Sequence, residues 1–168
     1  MSSILKVSEI QDPTNGNSAL TVDSSGRVLL PAVPCCHVRL TTANSQDTSN
    51  PYTTTGTDIK FDSVLLNQGS CYSASTGQFT CPVAGVYAAE VQFLSDAGTT
   101  TNHQILLKHN SSNVHLGYNS VDTHHVELHA FALIDCAVGD SISVHLASGS
   151  IYIDASGAYS SFTVRLVG

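Results

Sequence analysis

Charge is what this sequence has least of. Only 11% of its 168 residues are Asp, Glu, Lys or Arg, against roughly 25% in an ordinary soluble chain. Six Lys plus Arg stand against thirteen Asp plus Glu, for a formal net charge of −7. No basic cluster is available to neutralise phosphates, which excludes nucleic acid as a partner. No run approaches the roughly 18 apolar residues of a membrane-spanning helix, so insertion of that kind is not expected. The stretch Met1 to Glu9 lacks the basic opening and apolar core of a secretory leader, and synthesis and retention in a cytoplasm are expected. Helical periodicity is missing: no window sustains apolar residues at i, i+3, i+4 and i+7. Catalytic signatures are missing too. There is no Ser-x-x-Lys, Gly-x-Ser-x-Gly, His-Glu-x-x-His or phosphate loop, so the chain is not expected to be an enzyme.

Cysteine is present in an odd number. Cys35, Cys36, Cys71, Cys81 and Cys136 do not make a complete disulfide framework. If Tyr72 faces Phe79 across a hairpin, Cys71 faces Thr80 and Cys81 faces Ser70. The two thiols then lie on opposite faces of the sheet, where no bridge can form. All five are expected to be reduced and mostly half-buried.

What the chain has in abundance is Ser, Thr, Gly and Asn. A hydroxyl-rich and amide-rich exterior suits subunits that pack closely, because few charges must be desolvated when surfaces meet. From residue 37 onward, short alternating runs recur between turn signals such as Asn50-Pro51, Thr76-Gly77, Ala97-Gly98, Gly139-Asp140 and Ser156-Gly157. Strands are expected near 37–42, 57–61, 69–73, 78–81, 85–94, 103–109, 113–118, 125–134, 141–147, 150–154 and 159–167. That pattern predicts an all-β, antiparallel two-sheet jelly-roll sandwich over residues 35–168.

Residues 1–34 read differently, as a β-meander arm of three brief strands: Ile4 to Ile10, Ala19 to Val22, and Arg27 to Leu30. A meander this small cannot bury enough apolar surface to offset its own ordering cost. Its apolar positions Ile4, Leu5, Val7, Ile10, Leu20, Val22, Val28 and Leu29 are therefore expected to dock on a particle or intertwine within a trimer. Pro31 and Pro34 stiffen the exit. The alternative is a disordered leader.

The window from residue 61 to 87 carries the most specific signal. It holds an aromatic opener, Phe61, then Asn67, Gly69, Tyr72, the Thr76-Gly77 turn, Phe79, Pro82, Gly85 and Tyr87. In this combination it resembles the globular head of the C1q and tumour-necrosis-factor class. Leu133, the Gly139-Asp140 turn and the closing strand Tyr159 to Val167, with Phe162, extend the resemblance over residues 37–168. Departures are Ala89, where the family often has an aromatic, and Thr163, where it has glycine. No Gly-X-Y stem precedes the head, so the animal role in immune recognition is not carried over. The resemblance implies a jelly roll that assembles as a homotrimer and works as a binding head. It also implies that the residues just named, with Gly139, Asp140 and Phe162, form the fold signature and trimer core.

The arm carries a second resemblance. Ser3 to Val7, Ile10 to Asp12 and Ala19 to Val28 resemble the opening of structural and fibre proteins of tailed phages of marine bacteria. Together the two imply a virion surface protein made in a bacterial cytoplasm, either a capsid decoration or a short tail fibre. Its partners would be other virion proteins, through residues 1–34, and a host glycan or receptor. The alternative is a free soluble lectin or ligand-binding module of the C1q-like kind.

Candidate chemistry is sparse. In a strand, His125, Glu127 and His129 share one face, and a threefold axis would triple any ligands beside it. Neighbours two apart on a strand sit about 7 Å apart, so a third ligand must come from elsewhere. The alternatives are outward polar residues or a pH-sensitive contact. Asp135, Asp140 and Asp154 are carboxylates for the calcium that some C1q-like heads hold, although Asp140 in its turn is equally suited to bonding local backbone. No cofactor is expected, with a metal at the trimer axis as the open alternative. Tyr52, Tyr118, Tyr152 and Tyr159 could form a carbohydrate contact surface or belong to the core or trimer axis.

Overall fold

The computed structural model describes residues 7–11, 13–14, 16, 18–30, 32–42, 51–98, 102–120 and 124–168. The chain divides into two compact units, Met1–Val33 and Pro34–Gly168. The first holds β1 (Glu9–Gln11), β2 (Ser18–Val22) and β3 (Val28–Leu29), paired in that order. Asp23 closes the β2–β3 turn: its Oδ1 accepts the backbone N–H of Ser25 and of Arg27, each at 2.9 Å, and Oδ2 takes Arg27 Nε at 2.7 Å. These bonds from Arg27 and Ser25 hold the Asp23 carboxyl below its usual range. Apolar burial in this unit is poor. Val7, Ile10, Val28 and Leu29 are exposed, Leu20 and Val22 are half-buried, and Ile4 and Leu5 lie outside the described residues.

The second unit is the expected antiparallel sandwich, with strands and no helix among the described residues. Its strands are β4 (Cys35–Arg39), β5 (Ser63–Gln68), β6 (Tyr72–Ser73), β7 (Gln78–Thr80), β8 (Gly85–Ser95), β9 (His103–His109), β10 (Ser112–Asn119), β11 (Glu127–Cys136), β12 (Ser141–Ser148), β13 (Ile151–Tyr152) and β14 (Ser160–Leu166). One sheet runs β11-β8-β14-β4-β5, with β13 pairing β8, and the other β10-β9-β12-β7-β6. The chain passes repeatedly from one sheet to the other, as a jelly roll requires. Alternation decides what lies between them. Cys36 and Val38 on β4, Tyr87, Ala89, Val91 and Phe93 on β8, and Phe162 and Val164 on β14 point inward. Facing them are Phe79, Ile105, Leu107, Ile142, Val144 and Leu146.

At the centre Phe61 stacks between Phe93, at 5.7 Å between ring centroids, and Phe162, at 5.4 Å. Tyr72 meets Phe162 edge-on at 6.4 Å and donates its hydroxyl to the Phe61 carbonyl at 3.0 Å. The segment 51–60 runs beside β12, with the Ile59 N–H donating to the Val144 carbonyl at 2.8 Å and the Gly56 N–H to the Leu146 carbonyl at 3.3 Å. Asp58 takes His145 Nε2 at 2.6 Å and Gln78 Nε2 at 2.6 Å. Burial pushes the Asp58 carboxyl up, but bonds from Ser143, Gln78 and His145 outweigh it, and the group ends below its usual range.

Two expectations are corrected. Residues 57–61 are not a strand, since only Asp58 makes an isolated bridge, to His145. The strand is β5, which begins two residues further on at Ser63. Its run Val64, Leu65, Leu66 shows no alternation, because the strand lies at a sheet edge and its pairing to β4 is bulged between His37 and Val38. The hairpin register is as expected, with Tyr72 opposite Phe79. All five cysteines are free thiols, but four are buried rather than half-buried, and only Cys35 is intermediate.

The Thr76-Gly77 turn explains one signature residue. Gly77 has φ +78°, and a Cβ there would sit 2.5 Å from the Ile59 carbonyl oxygen. Gly77→Ala is expected to cost about 2 kcal/mol or more, from left-handed strain plus backbone displacement. Gly98→Ala, with φ +74° but nothing within 4 Å, should lose only the conformational part. Urea unfolding of both variants checks the ordering, and equal losses would contradict it.

Candidate functional site

Because each strand sends alternate residues inward, the sheet β11-β8-β14-β4-β5 has an outer face built from the others. Register lines them up in rows. One row runs Phe131, Glu90, Thr163, His37, Leu66, and the next runs Leu133, Ala88, Arg165, Cys35, Gln68. Leu133 is 61% exposed and Phe131 45%, at one edge, while Leu65 at the other edge is 54% exposed. Between them small side chains, Ala88, Thr163 and Cys35, alternate with Glu90, Arg165 and His37. Ala88, Glu90, Phe131, Thr163 and Arg165 line a hollow of about 270 Å³. The face is thus mixed, with large apolar side chains at its edges and polar and charged ones around the hollow.

Two polar pairs are bonded within it. His37 Nδ1 bonds Thr163 Oγ1 at 2.8 Å, and His129 Nε2 bonds Glu90 Oε1 at 2.9 Å. Burial, then the positive charge of Arg39, lowers the affinity of His37 for a proton. The cations of this face are its arginines, Arg165 exposed at the hollow with the Glu90 carboxylate and Arg39 half-buried further along β4.

The signature residues sit elsewhere. Phe61, Tyr72, Phe79, Tyr87 and Phe162 are all inside the sandwich. Asn67 acts like a strand backbone: its Oδ1 accepts Tyr72 N–H and its Nδ2 donates to the Tyr72 carbonyl, each at 2.9 Å, which closes the turn through Gly69. Tyr87 donates to the Val83 carbonyl at 2.9 Å; Pro82 is exposed beside it, and Gly85 passes under the Gly168 backbone. They shape the subunit from within. Contacts between subunits would have to come from their outward neighbours.

The histidine set is not gathered. β11 begins at Glu127, so His125 precedes it; its Nδ1 bonds the Ser95 carbonyl at 2.7 Å and its ring lies 4.8 Å from Tyr152. His129 goes to Glu90. Asp154 is engaged by its own turn, through Ser156 Oγ and Ala158 N, and Asp135 is exposed on β11. Of the tyrosines, Tyr52 is fully buried and leaves the candidate contact surface, whereas Tyr118 and Tyr159 are exposed. Tyr159 meets Tyr152 edge-on at 5.5 Å, so His125, Tyr152 and Tyr159 form one aromatic cluster.

Asp140 anchors its turn, accepting Asn110 Nδ2 at 3.0 Å, His109 Nε2 at 2.8 Å and Ala137 N at 2.8 Å. Those bonds, Asn110 first, hold its pKa down at about 2.

Solved structures with this architecture define the class. The globular domain of zebrafish complement 1qA superposes with a TM-score of 0.62 at 18% identity, over 81% of this chain and 98% of that one. The tumour-necrosis-factor protein Eiger of S. frugiperda gives 0.63 at 12% identity, over 82% and 94%, and murine APRIL 0.58 at 12%, over 80% and 99%. The fold is therefore the C1q/tumour-necrosis-factor jelly roll. Within that class the chain belongs to the C1q domain family, which it matches over residues 42–167. Complement C1q tumor necrosis factor-related protein 2 of Mus musculus is 40% identical over 53 residues, 32% of this chain and 18% of the relative. The human counterpart is 55% identical over 29 residues, 17% and 10% respectively. The chain thus matches less than a fifth of those relatives' length.

The low pKa of Asp140 fixes the sign of its pH dependence. A carboxylate held below its unfolded value of 3.8 contributes stability that is complete above that value and is lost as pH falls toward about 2. Urea midpoints measured from pH 5 to pH 2 should fall across that window, and Asp140→Asn should flatten the slope. An unchanged slope in the variant would contradict the assignment.

Proposed function

We propose that three copies of this chain assemble through the outer face of β11-β8-β14-β4-β5 into a non-enzymatic head, and that residues 1–34 fasten the head to a larger particle. The observation that carries the reading is the exposed apolar edge of Phe131 and Leu133 beside the hollow at Ala88 and Thr163. Residues of that kind are poorly placed in water and well placed against a second subunit. Membership of the C1q family favours threefold closure over a dimer.

The arm supports the second half. Its three strands leave Val7, Ile10, Val28, Leu29 and Leu30 exposed, so it gains stability by docking on another surface. Its likeness to openings of tailed-phage structural proteins favours a virion as that surface, with the head as a capsid decoration or short tail fibre. The aromatic cluster of His125, Tyr152 and Tyr159 would then be free to contact a host glycan or receptor.

Phe131→Asp combined with Leu133→Asp is expected to yield a folded monomer where the unmodified chain is a trimer, read by light scattering coupled to size exclusion and by circular dichroism. A trimer that survives the double substitution, or an unmodified chain that is monomeric, would reject the assembly face. Removing residues 1–34 should leave the trimer intact and abolish incorporation into particles. Unchanged function without the arm would instead favour a free soluble lectin or ligand-binding module.

A further inference from the structure

The inward stripes of both sheets end in metal-binding side chains. Along β9 the inward residues are His103, Ile105 and Leu107, and the next in phase is His109. Along β11 they include Leu128, Ala130 and Ile134, and the next is Cys136. Where the core alternation calls for one more apolar side chain, each sheet supplies a ligand instead. The turn joining β11 to β12 then brings Asp140 over both. A ring nitrogen of His109, the Cys136 sulfur and a carboxylate oxygen of Asp140 all lie within 4.8 Å of one another.

We propose that His109, Cys136 and Asp140 bind one divalent transition-metal ion of the zinc class per chain, at the mouth between the two sheets. The donor set selects the ion: imidazole, thiolate and carboxylate together suit zinc, and a sulfur ligand disfavours calcium and magnesium. The geometry is close to what is needed. In a tetrahedral zinc site, ligand atoms lie about 3.4–3.6 Å apart. His109 Nε2 and Asp140 Oδ2, now 2.8 Å apart, would part slightly to admit the ion while the sulfur closes in.

The surroundings are prepared for such a site. Asp140 is aimed by Asn110 Nδ2 on one oxygen and by the Ala137 N–H on the other. The side chains of His109 and Asp140 are 26% and 23% exposed. That leaves an entry path, and room for water at the fourth position.

Protons balance simply. With the imidazole neutral, its Nε2 proton moves to Nδ1 and the nitrogen lone pair goes to the metal. The Cys136 thiol loses its proton to solvent, so one proton is released per ion bound. Because that proton must leave for the sulfur to bind, binding tightens as pH rises.

Cobalt(II) added to the reduced full-length chain is the test, because a thiolate ligand produces a near-ultraviolet charge-transfer band and tetrahedral geometry gives intense visible bands. The expected result is both sets of bands at one ion per chain, displaced by zinc. Cys136→Ser should remove the charge-transfer band, and His109→Gln should weaken binding by more than about tenfold. His125→Ala with His129→Ala should change neither. In case a variant is unstable, protection of Cys136 from alkylation by zinc, read by peptide mass spectrometry, makes the same test on the unmodified chain. No charge-transfer band, no protection of Cys136, or a band that persists in Cys136→Ser would overturn the site. Each readout is independent of oligomeric state.

Discussion

The head depends on one aromatic stack being kept out of water. Phe61 lies between Phe93 and Phe162, so a loop residue is held by the middle strands β8 and β14 of a single sheet. Burying such side chains contributes roughly 2–3 kcal/mol each, and aromatic pairing adds about 1 kcal/mol per contact. The hydroxyl of Tyr72 satisfies the Phe61 carbonyl inside that apolar setting. β5, the β6–β7 hairpin and the segment 51–60 are placed around this stack.

Once the stack dictates which residues face inward, the opposite set is released from the core. On the sheet β11-β8-β14-β4-β5 that set combines apolar edges with a histidine–threonine bond, a histidine–glutamate pair and two arginines, Arg39 and Arg165. A subunit covering that face would have to keep those arginines paired with carboxylates such as Glu90, because a charge stranded without a partner is costly. On the other sheet the same freedom is used differently. There the segment 51–60 runs beside β12, held by backbone bonds from Ile59 to Val144 and from Gly56 to Leu146 and by the Asp58–His145 side-chain bond, while Val114, Leu116 and Tyr118 on β10 stay exposed.

Alternating runs made much of the fold legible. The strands from β8 to β12 lie close to where period-2 patterning puts them, and the turn at Thr76-Gly77 and the Tyr72–Phe79 pair are where the motif implied. β5 was not legible. Val64, Leu65 and Leu66 are three apolar residues in succession, which no alternating pattern can place, and only a bulge at a sheet edge lets the strand display them. The His125, Glu127 and His129 grouping failed because strand geometry was extended two residues too early, before β11 begins. Phe131 and Leu133 carried a quiet signal: large apolar residues in antiphase with Leu128, Ala130 and Ile134 must face away from the core.

By itself the sequence determined the class of the head. Strand periodicity and turn chemistry are local properties, and so is the spacing of the signature from Phe61 to Tyr87; all can be read along the chain. Only the tertiary structure decided which distant residues share a surface. Leu66, His37, Thr163, Glu90 and Phe131 become one row through four strand pairings, and His109 meets Cys136 only because two sheets end at the same mouth. Sheet order and register are set by non-local packing, and no spacing within a single strand encodes them.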